Sequence, residues 1–499
     1  MSLNLSSKAQ RGAKGSPDWL ILAVVCVAQF MVVLDVSVVN VALPAIKTSL
    51  GFSQTGLQWI LNAYTLTFAG FLLLGGRAAD LYGRKRVYLF GMALFTVSSL
   101  VGGFSNSQEM LVISRAVQGL GGAILSPATL TIITTTFTDP KARSKALGMW
   151  SAVAGAGGAV GALLGGVLTQ LVSWRWILFI NVPVGAIAFV AAMVVISERR
   201  RGDSKVKLDL PGSFLVTFGL ASLVYGLVNS STYGWGSMST ILSFAFAVIG
   251  LVWFVIHEMR YAESPLMPMS MFKIRPVMGA NVVMMAVGGS IFASWFFLSL
   301  YFQEVRGYSP IKTGLVFLPQ TIAIIVGAQF SSRMLGRIGA KKLLVAGTAI
   351  SALGLGLMGL ISINSPYLTS ILVPSILITL GAGLSFTPLA FAATSGVRPQ
   401  DAGLASGLLN TSRQVGGAIG LAALATLATS VTTSYLLHHH AGGQVASQAL
   451  THGYAVALRI SALVALAGTA ATSLLPSHSQ TKDAHGTNGS VERVEIAFD

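Results

Sequence analysis

The sequence predicts an all-α polytopic membrane protein with fourteen transmembrane helices, arranged as two pseudo-symmetric six-helix bundles with two helices between them. Of the 499 residues 53% are apolar and 10% are charged, and the mean hydropathy is +0.73, whereas a soluble domain carries about 25% charged residues. Apolar runs near the ~20 residues that cross a bilayer recur along the chain. A set of motifs also occurs twice. Together these observations exclude a water-soluble fold.

The predicted spans are separated by Gly, Pro and charged residues. They lie near 19–43, 56–76, 87–105, 109–131, 146–169, 175–196, 211–229, 238–257, 277–302, 311–331, 343–363, 367–391, 402–427 and 453–475. We therefore expect the following organisation: a cytoplasmic tail over 1–18, a six-helix bundle over 19–196, a linker with two extra helices over 197–276, a second six-helix bundle over 277–475 and a disordered cytoplasmic tail over 476–499.

The internal repeat relates the first six spans to the last six. The basic loop that begins at Arg77 resembles the loop that begins at Arg333, and each follows the second span of its set. The pattern Gly-Gly-Ala-x-Gly occurs in the fifth span of each set, at Gly157 and Gly416. The two copies of each motif are separated by more residues than six spans with short loops require. The additional residues accommodate the two central helices. Repeats of this kind are typical of secondary transporters.

The distribution of basic residues predicts that both termini are cytoplasmic. Most of the 32 Lys and Arg residues fall in the tails and in alternate loops, which is the pattern of cytoplasmic segments in an inner (plasma) membrane. The net charge of +16 therefore reflects topology and does not indicate nucleic-acid binding. The first apolar run, from Trp19, lacks a small-residue cleavage site, so we expect a retained helix. Cys26 is the sole cysteine, which excludes disulfides.

Four motifs carry a family resemblance. They are Leu34-Asp35 through Asn40 to Pro44, Gly76-x3-Asp80-x2-Gly83-Arg84-Lys85, Arg115-Ala-Val-Gln118-Gly119, and Trp174-Arg175-Trp176 through Asn181 to Pro183. From about Trp19 to Pro476 the chain resembles the major facilitator superfamily, and within it the fourteen-helix drug:proton antiporter branch (EmrB/QacA-like multidrug efflux transporters). The resemblance implies the major facilitator fold and transport by alternating access.

The loop after the second span is a candidate cytoplasmic gate. Gly83 permits a tight turn, and Asp80 can pair with neighbouring arginines, Arg77 or Arg84, or with a helix N-terminus. The resemblance implies that these residues latch the inward gate. The alternative is a solvated basic loop that only fixes topology. Gly336 replaces the acidic residue in the second copy, so only the first half can form this latch.

Elimination identifies Asp35 as the candidate proton carrier. Of the 16 acidic residues, all except Asp35 fall in loops, tails or span edges. A charged group at mid-membrane costs roughly 2.5–3.5 kcal/mol on insertion scales, which favours a functional role. At ~1.5 Å rise per residue, Arg115 lies at nearly the same depth and is the expected partner. A static ion pair is the alternative, and Glu304 would then be the next candidate carrier.

Further side chains are candidates for helix movement or substrate contact. Gly157, Gly161 and Gly165 give the fifth span the small residues that allow either flexing or ordinary close packing, and Ala162 stands where the family usually has proline. Polar groups along apolar helices are candidates for the substrate path, although each also suits an ordinary helix–helix contact. These candidates are Asn40, Gln58, Asn62, Tyr64, Gln118, Asn181, Glu304, Arg413 and Gln414.

The sequence therefore predicts an alternating-access antiporter that exports lipophilic, often cationic, drugs in exchange for protons. No phosphate-binding loop, metal cluster or catalytic constellation is recognisable, so we expect no enzyme activity and no cofactor, with the proton gradient as the energy source. Expected partners are the lipid bilayer, small drug-like molecules and protons, and the expected functional unit is a monomer. A narrow exporter of one antibiotic or metabolite, an uptake symporter and a non-transporting membrane scaffold remain alternatives.

Overall fold

The computed structural model describes residues 17–197, 208–398, 401–439 and 444–475. Most of the predicted N-terminal tail, the basic part of the linker and the whole C-terminal tail lie outside these residues. Within them, fourteen helices are long and apolar enough to cross a membrane. We label them α1 (Asp18–Leu50), α2 (Gly56–Tyr82), α3 (Arg84–Gly103), α4 (Gln108–Thr136), α5 (Lys141–Leu171), α6 (Trp176–Val195), α7 (Leu210–Tyr233), α8 (Met238–Arg260), α9 (Arg275–Val305), α10 (Pro310–Ile338), α11 (Ala340–Met358), α12 (Leu368–Thr394), α13 (Ala402–His438) and α14 (Val445–Leu474).

The predicted all-helical class and the number of spans are confirmed, but some predicted ends are wrong. The first span was expected to end near Pro44, whereas α1 continues through this proline to Leu50. A proline inside a helix removes a single backbone donor, and the helix can continue beyond it. The end comes at Gly51, whose φ of 70° is left-handed and whose N–H bonds the carbonyl of Lys47. Similarly, α13 runs to His438, well beyond the predicted end at residue 427.

The described helices divide into two compact units. The first contains the described residues up to Leu223, together with Leu242–Leu266 and Phe302–Leu318. Here α1 packs on α5, α2 on α4, and α3 on both α4 and α6. Large side chains such as Tyr88 and Phe95, both fully buried, fill the interior of this unit. Small residues bring the backbones together along these seams, so the polar side chains of the inner faces are held at fixed depths.

The second unit contains Val224–Ile241, Met267–Tyr301 and the described residues from Pro319 onwards. Its helices repeat the packing of the first, since α9 packs on α13 and α11 on both α12 and α14. The structure thus contains the two similar bundles that the repeat predicted. The boundaries that we assigned to the domains from the sequence stay a prediction.

The turn after the second helix of each bundle also repeats. Gly83 has a φ of 96° and Gly339 a φ of 84°, values that favour glycine. In the first unit the Lys85 ammonium donates to the Met193 carbonyl, 2.5 Å away, near the end of α6. In the second, Lys341 donates to the Leu475 carbonyl at 2.9 Å, just after α14. Each lysine supplies a positive charge where a helix presents unpaired carbonyls.

Candidate functional site

The centre of the first unit holds one buried ion pair. Asp35 on α1 is fully buried and Arg115 on α4 is 1% exposed. The Nη1 of Arg115 donates to Oδ2 of Asp35 at 2.5 Å, a short charge-assisted hydrogen bond. The contact that the sequence left open is therefore formed.

Two amide side chains complete the coordination of the Asp35 carboxylate. Gln118 on α4 donates to Oδ1 at 2.8 Å and Asn181 on α6 donates to the same oxygen at 3.0 Å. Both amide nitrogens also lie within hydrogen-bond distance of the Ser99 hydroxyl on α3, at 3.1 and 3.0 Å. Four helices thus converge on one carboxylate, and every group that faces it is a donor.

The Arg115 guanidinium is held on its other sides as well. Its Nε donates to the Ile60 carbonyl at 3.2 Å, and Nη1 also donates to Oε1 of Gln118 at 2.7 Å. The Tyr64 ring lies against the guanidinium, with 4.5 Å between the ring centroid and Cζ. Nη2 of Arg115 and the Tyr64 hydroxyl are buried without a hydrogen-bond partner among the described residues. The site therefore has two groups beside the ion pair that can still form hydrogen bonds.

Glycines place these side chains at contact distance. A Cβ at Gly119 would lie 2.3 Å from the Tyr64 carbonyl oxygen, so only glycine lets α4 approach α2 this closely. On the other side of α1, Cβ atoms at Gly157, Gly161 and Gly165 of α5 would lie 3.1, 2.8 and 2.6 Å from carbonyl oxygens one helical turn apart. The three glycines thus form the α1–α5 seam behind Asp35. Whether the seam also flexes stays a prediction.

Three other predicted polar residues lie elsewhere in the first unit. Gln58 and Asn62 are buried on α2, and Nδ2 of Asn62 donates a weak hydrogen bond to Oε1 of Gln58 at 3.4 Å. Nε2 of Gln58 and Oδ1 of Asn62 are buried without a partner among the described residues. The amide of Asn40 donates to the Val36 carbonyl of its own helix at 3.0 Å. Any part that these residues take in substrate binding stays a prediction.

Glu304, the second candidate proton carrier, forms a different kind of pair. Its Oε1 lies 2.7 Å from Nζ of Lys47, and the two side chains are 15% and 29% exposed. Gln54 reaches the other carboxylate oxygen at 3.4 Å. The pair is therefore partly open, in contrast to the closed pair at Asp35.

The candidate gate loop contacts the segment after α8 through Arg77. The Arg77 guanidinium donates to the carbonyls of Ser264 and Pro265, the latter at 3.3 Å, and so ties the end of α2 to the segment after α8. Asp80 is exposed and forms no ion pair within the part of the chain that the structure describes. Gly83 makes the turn and Arg84 is half-buried at the start of α3. The latch stays a prediction.

In the second unit, Arg413 and Gln414 lie on α13. Gln414 is buried, and Arg413 is half-buried with its Nε enclosed and without a hydrogen-bond partner among the described residues. The backbone of α13 is clamped here, because a Cβ at Gly288 of α9 would lie 2.3 Å from the Arg413 carbonyl oxygen.

Sequence reasoning missed two contributors to these sites. Ser99 links both amides of the Asp35 shell, but its sequence context resembles that of many other serines in apolar helices. Lys47 lies beyond the predicted first span of 19–43, whereas the structure places it in the last turn of α1, where it pairs with Glu304. Lys47 and Glu304 are far apart in the sequence, and a single sequence does not show which distant residues come into contact.

In the described residues, fourteen membrane-length helices in two similarly packed units, with Asp35 buried where four of them meet, define an integral membrane protein of the secondary-transporter class. The sequence model of the Major Facilitator Superfamily matches residues 25–421. The cephamycin export protein CmcT of Amycolatopsis lactamdurans is 45% identical over 434 residues, covering 87% of this chain and 89% of the relative. The puromycin resistance protein pur8 of Streptomyces alboniger is 38% identical over 473 residues, covering 94% and 93%.

Among solved structures, the chain is similar in fold to a bacterial homologue of the human lysosomal transporter Spinster in an inward-facing, unoccupied conformation. The TM-score is 0.64 at 16% identity, covering 92% of this chain and 97% of that one. The protein therefore belongs to the major facilitator superfamily.

Proposed function

We propose that this protein exports drug-like molecules from the cytoplasm or inner leaflet in exchange for protons, by alternating access. The observation that carries the proposal is the Asp35 carboxylate, buried at the meeting point of four helices and bonded to Arg115. In this proposal the protein lies in the inner (plasma) membrane with both termini cytoplasmic, acts as a monomer and needs no cofactor.

The proton step follows from the donor shell. A proton that binds Oδ2 of Asp35 takes the position of the Arg115 Nη1–H bond, so this hydrogen bond breaks and the guanidinium becomes an uncompensated cation. An uncompensated buried cation favours a conformation that admits water or an acceptor. Release of the proton to the cytoplasm restores the pair. Each cycle thus links one protonation to one conformational change, and inward proton movement gains ~2.3 kcal/mol per charge per 100 mV.

The names of the relatives support export and favour a second candidate, a narrow substrate range. One relative is named for cephamycin export and another for puromycin resistance, each a single antibiotic. A susceptibility panel in a pump-deficient host separates the two possibilities. Protection against one compound class supports the narrow exporter, and protection against several unrelated classes supports the multidrug pump.

The test of proton coupling is a comparison of Asp35→Asn with the native protein in proteoliposomes. The substitution keeps size and removes the titratable group, so we expect a folded protein whose drug-dependent proton flux falls at least about a hundredfold. Asp35→Glu retains a carboxyl and should keep part of the flux.

Glu304→Gln is the matched control, because it neutralises another paired carboxylate and should leave coupled flux in place. If Asp35→Asn accumulates drug against a gradient as the native protein does, Asp35 is a static structural group. In that case proton coupling must be assigned elsewhere.

A further inference from the structure

The second unit contains a cation that no acid of the described residues neutralises. Arg413 lies within α13, its Nε is buried without a hydrogen-bond partner, and no ion pair of Arg413 is found in the described ranges. The buried arginine of the first unit, Arg115, in contrast has a carboxylate at 2.5 Å. A guanidinium inside a membrane protein ordinarily faces a partner or a water-filled cavity.

No acidic residue of the second half is available to Arg413. Between residues 275 and 475 the sequence contains only two acids, Glu304 and Asp401. Glu304 pairs with Lys47 at 2.7 Å, and Asp401 pairs with Arg398 at 2.8 Å. Neither lies in the middle of a helix, and both are at least 12 residues from Arg413 along the chain. The interior of α9 to α14 therefore carries positive charge and no carboxylate.

Packing fixes the backbone at Arg413, whose half-buried side chain keeps its Nε without a hydrogen-bond partner among the described residues. The backbone of α13 is pressed against α9 at Gly288, and a Cβ at Gly416 would lie 2.2 Å from the Met285 carbonyl oxygen. Ser412 donates to Oδ1 of Asn281 at 2.7 Å, which holds the adjacent turn. A charge on such a rigid helix cannot leave the membrane interior by a local backbone change.

We infer that Arg413 is a recognition point for an anionic group, a carboxylate or phosphate, on a ligand that enters the second unit. The planar guanidinium matches such groups in a bidentate geometry, and its strength is greatest away from bulk water. The inference rests on the proposed export function and changes its expected substrate class. Acidic amphipaths become substrates beside the cationic ones that the family resemblance implies.

The test measures binding in proteoliposomes of phosphatidylcholine without any ion gradient. The probes are a cephamycin with its free carboxylate and the methyl ester of the same molecule. Because a charge-assisted bidentate contact is lost in the ester, the native protein should bind the acid about tenfold more tightly. Arg413→Gln should abolish this preference, and Arg413→Lys should retain part of it.

Arg459→Gln is the matched control, since it removes another arginine from a membrane helix. Arg459 lies on α14, is exposed and donates to the Gly359 carbonyl at 2.7 Å, so its loss should not alter the preference for the acid. Thermal unfolding of each variant verifies that it is folded.

A second set of vesicles contains phosphatidylglycerol and distinguishes a solute from a lipid. If the anionic group belongs to lipid, the native protein retains phosphatidylglycerol and Arg413→Gln does not, while acid and ester bind alike. The inference is overturned if neither the acid preference nor lipid retention depends on Arg413, including the case in which native protein binds neither probe. If the Arg413→Gln variant exports puromycin and prefers the acid as strongly as the native protein does, the proposed function stands and only this inference is overturned.

Discussion

The two units hold an arginine in opposite electrostatic surroundings. Arg115 in the first unit is almost fully buried, is neutralised by Asp35 and donates further hydrogen bonds to Gln118 and a backbone carbonyl. Arg413 in the second is half-buried, and the described chain offers it no acid. In the closed pair, protonation of Asp35 would leave Arg115 without its counter-charge. The unpaired Arg413 can instead attract an anion from a ligand. The difference suggests that proton handling and substrate recognition are divided between the units.

The backbone packing of the two units does not explain this difference. In both, glycines of the fifth helix of the bundle lie against the carbonyls of its first helix, at Gly161 over Leu34 and at Gly416 over Met285. The repeat is thus retained in the small residues that pack helices together, and it has been lost in the polar residues. Function resides in the side chains that the shared scaffold carries.

The largest effect should come from breaking the closed pair. Arg115→Ala leaves the Asp35 carboxylate buried without its cation, so we expect a loss of about 3–5 kcal/mol in the free energy of unfolding. Thermal unfolding in detergent measures the loss. Adding Asp35→Asn to Arg115→Ala removes the orphaned charge and should recover part of the stability.

Arg413→Ala sharpens the comparison as the control, because it removes a cation that has no protein partner. We expect its stability to be equal to that of the native protein or slightly higher. If Arg413→Ala lowers the free energy of unfolding as much as Arg115→Ala does, Arg413 is neutralised in the folded protein. The contrast between the units would then be wrong.

An intermediate effect should come from the seam behind Asp35. A Cβ at Gly161 would lie 2.8 Å from both the Leu34 carbonyl oxygen and the Ser37 Cβ. Gly161→Ala must therefore move α5 from α1, at a cost of typically 1–3 kcal/mol in stability. It should also lower proton-coupled flux, because a displacement of α1 at Leu34 also moves Asp35, the next residue of that helix.

Gly158→Ala is the control within the same helix. A Cβ there meets nothing within 4 Å, so stability should be unchanged or slightly raised. If Gly161→Ala is equally harmless, the α1–α5 seam does not position the acid.

Sequence alone predicted the scaffold and the centre of the site, but not the contacts that complete them. Fourteen spans follow from apolar run length, and Asp35 follows from the scarcity of acids. The positions of the helix ends depend on packing against other helices, and α1 continues beyond Pro44 to Leu50. The hydrogen bonds of Ser99 depend on how four helices meet, and a serine in an apolar helix has many possible partners. Arg413 was visible in the sequence, whereas its lack of a partner emerged only from the packing.

The smallest effect should come from the pair at Glu304, which separates it from Asp35 as a proton carrier. Lys47 and Glu304 are partly exposed, and exposed pairs typically contribute 0.2–1 kcal/mol. Glu304→Gln should therefore lower stability by less than about 1 kcal/mol and leave the pH profile of drug flux in place. The profile is measured in proteoliposomes over a range of external pH. A displaced profile would make Glu304 part of the coupling, because a group that only joins helices has no reason to set the proton concentration at which transport begins.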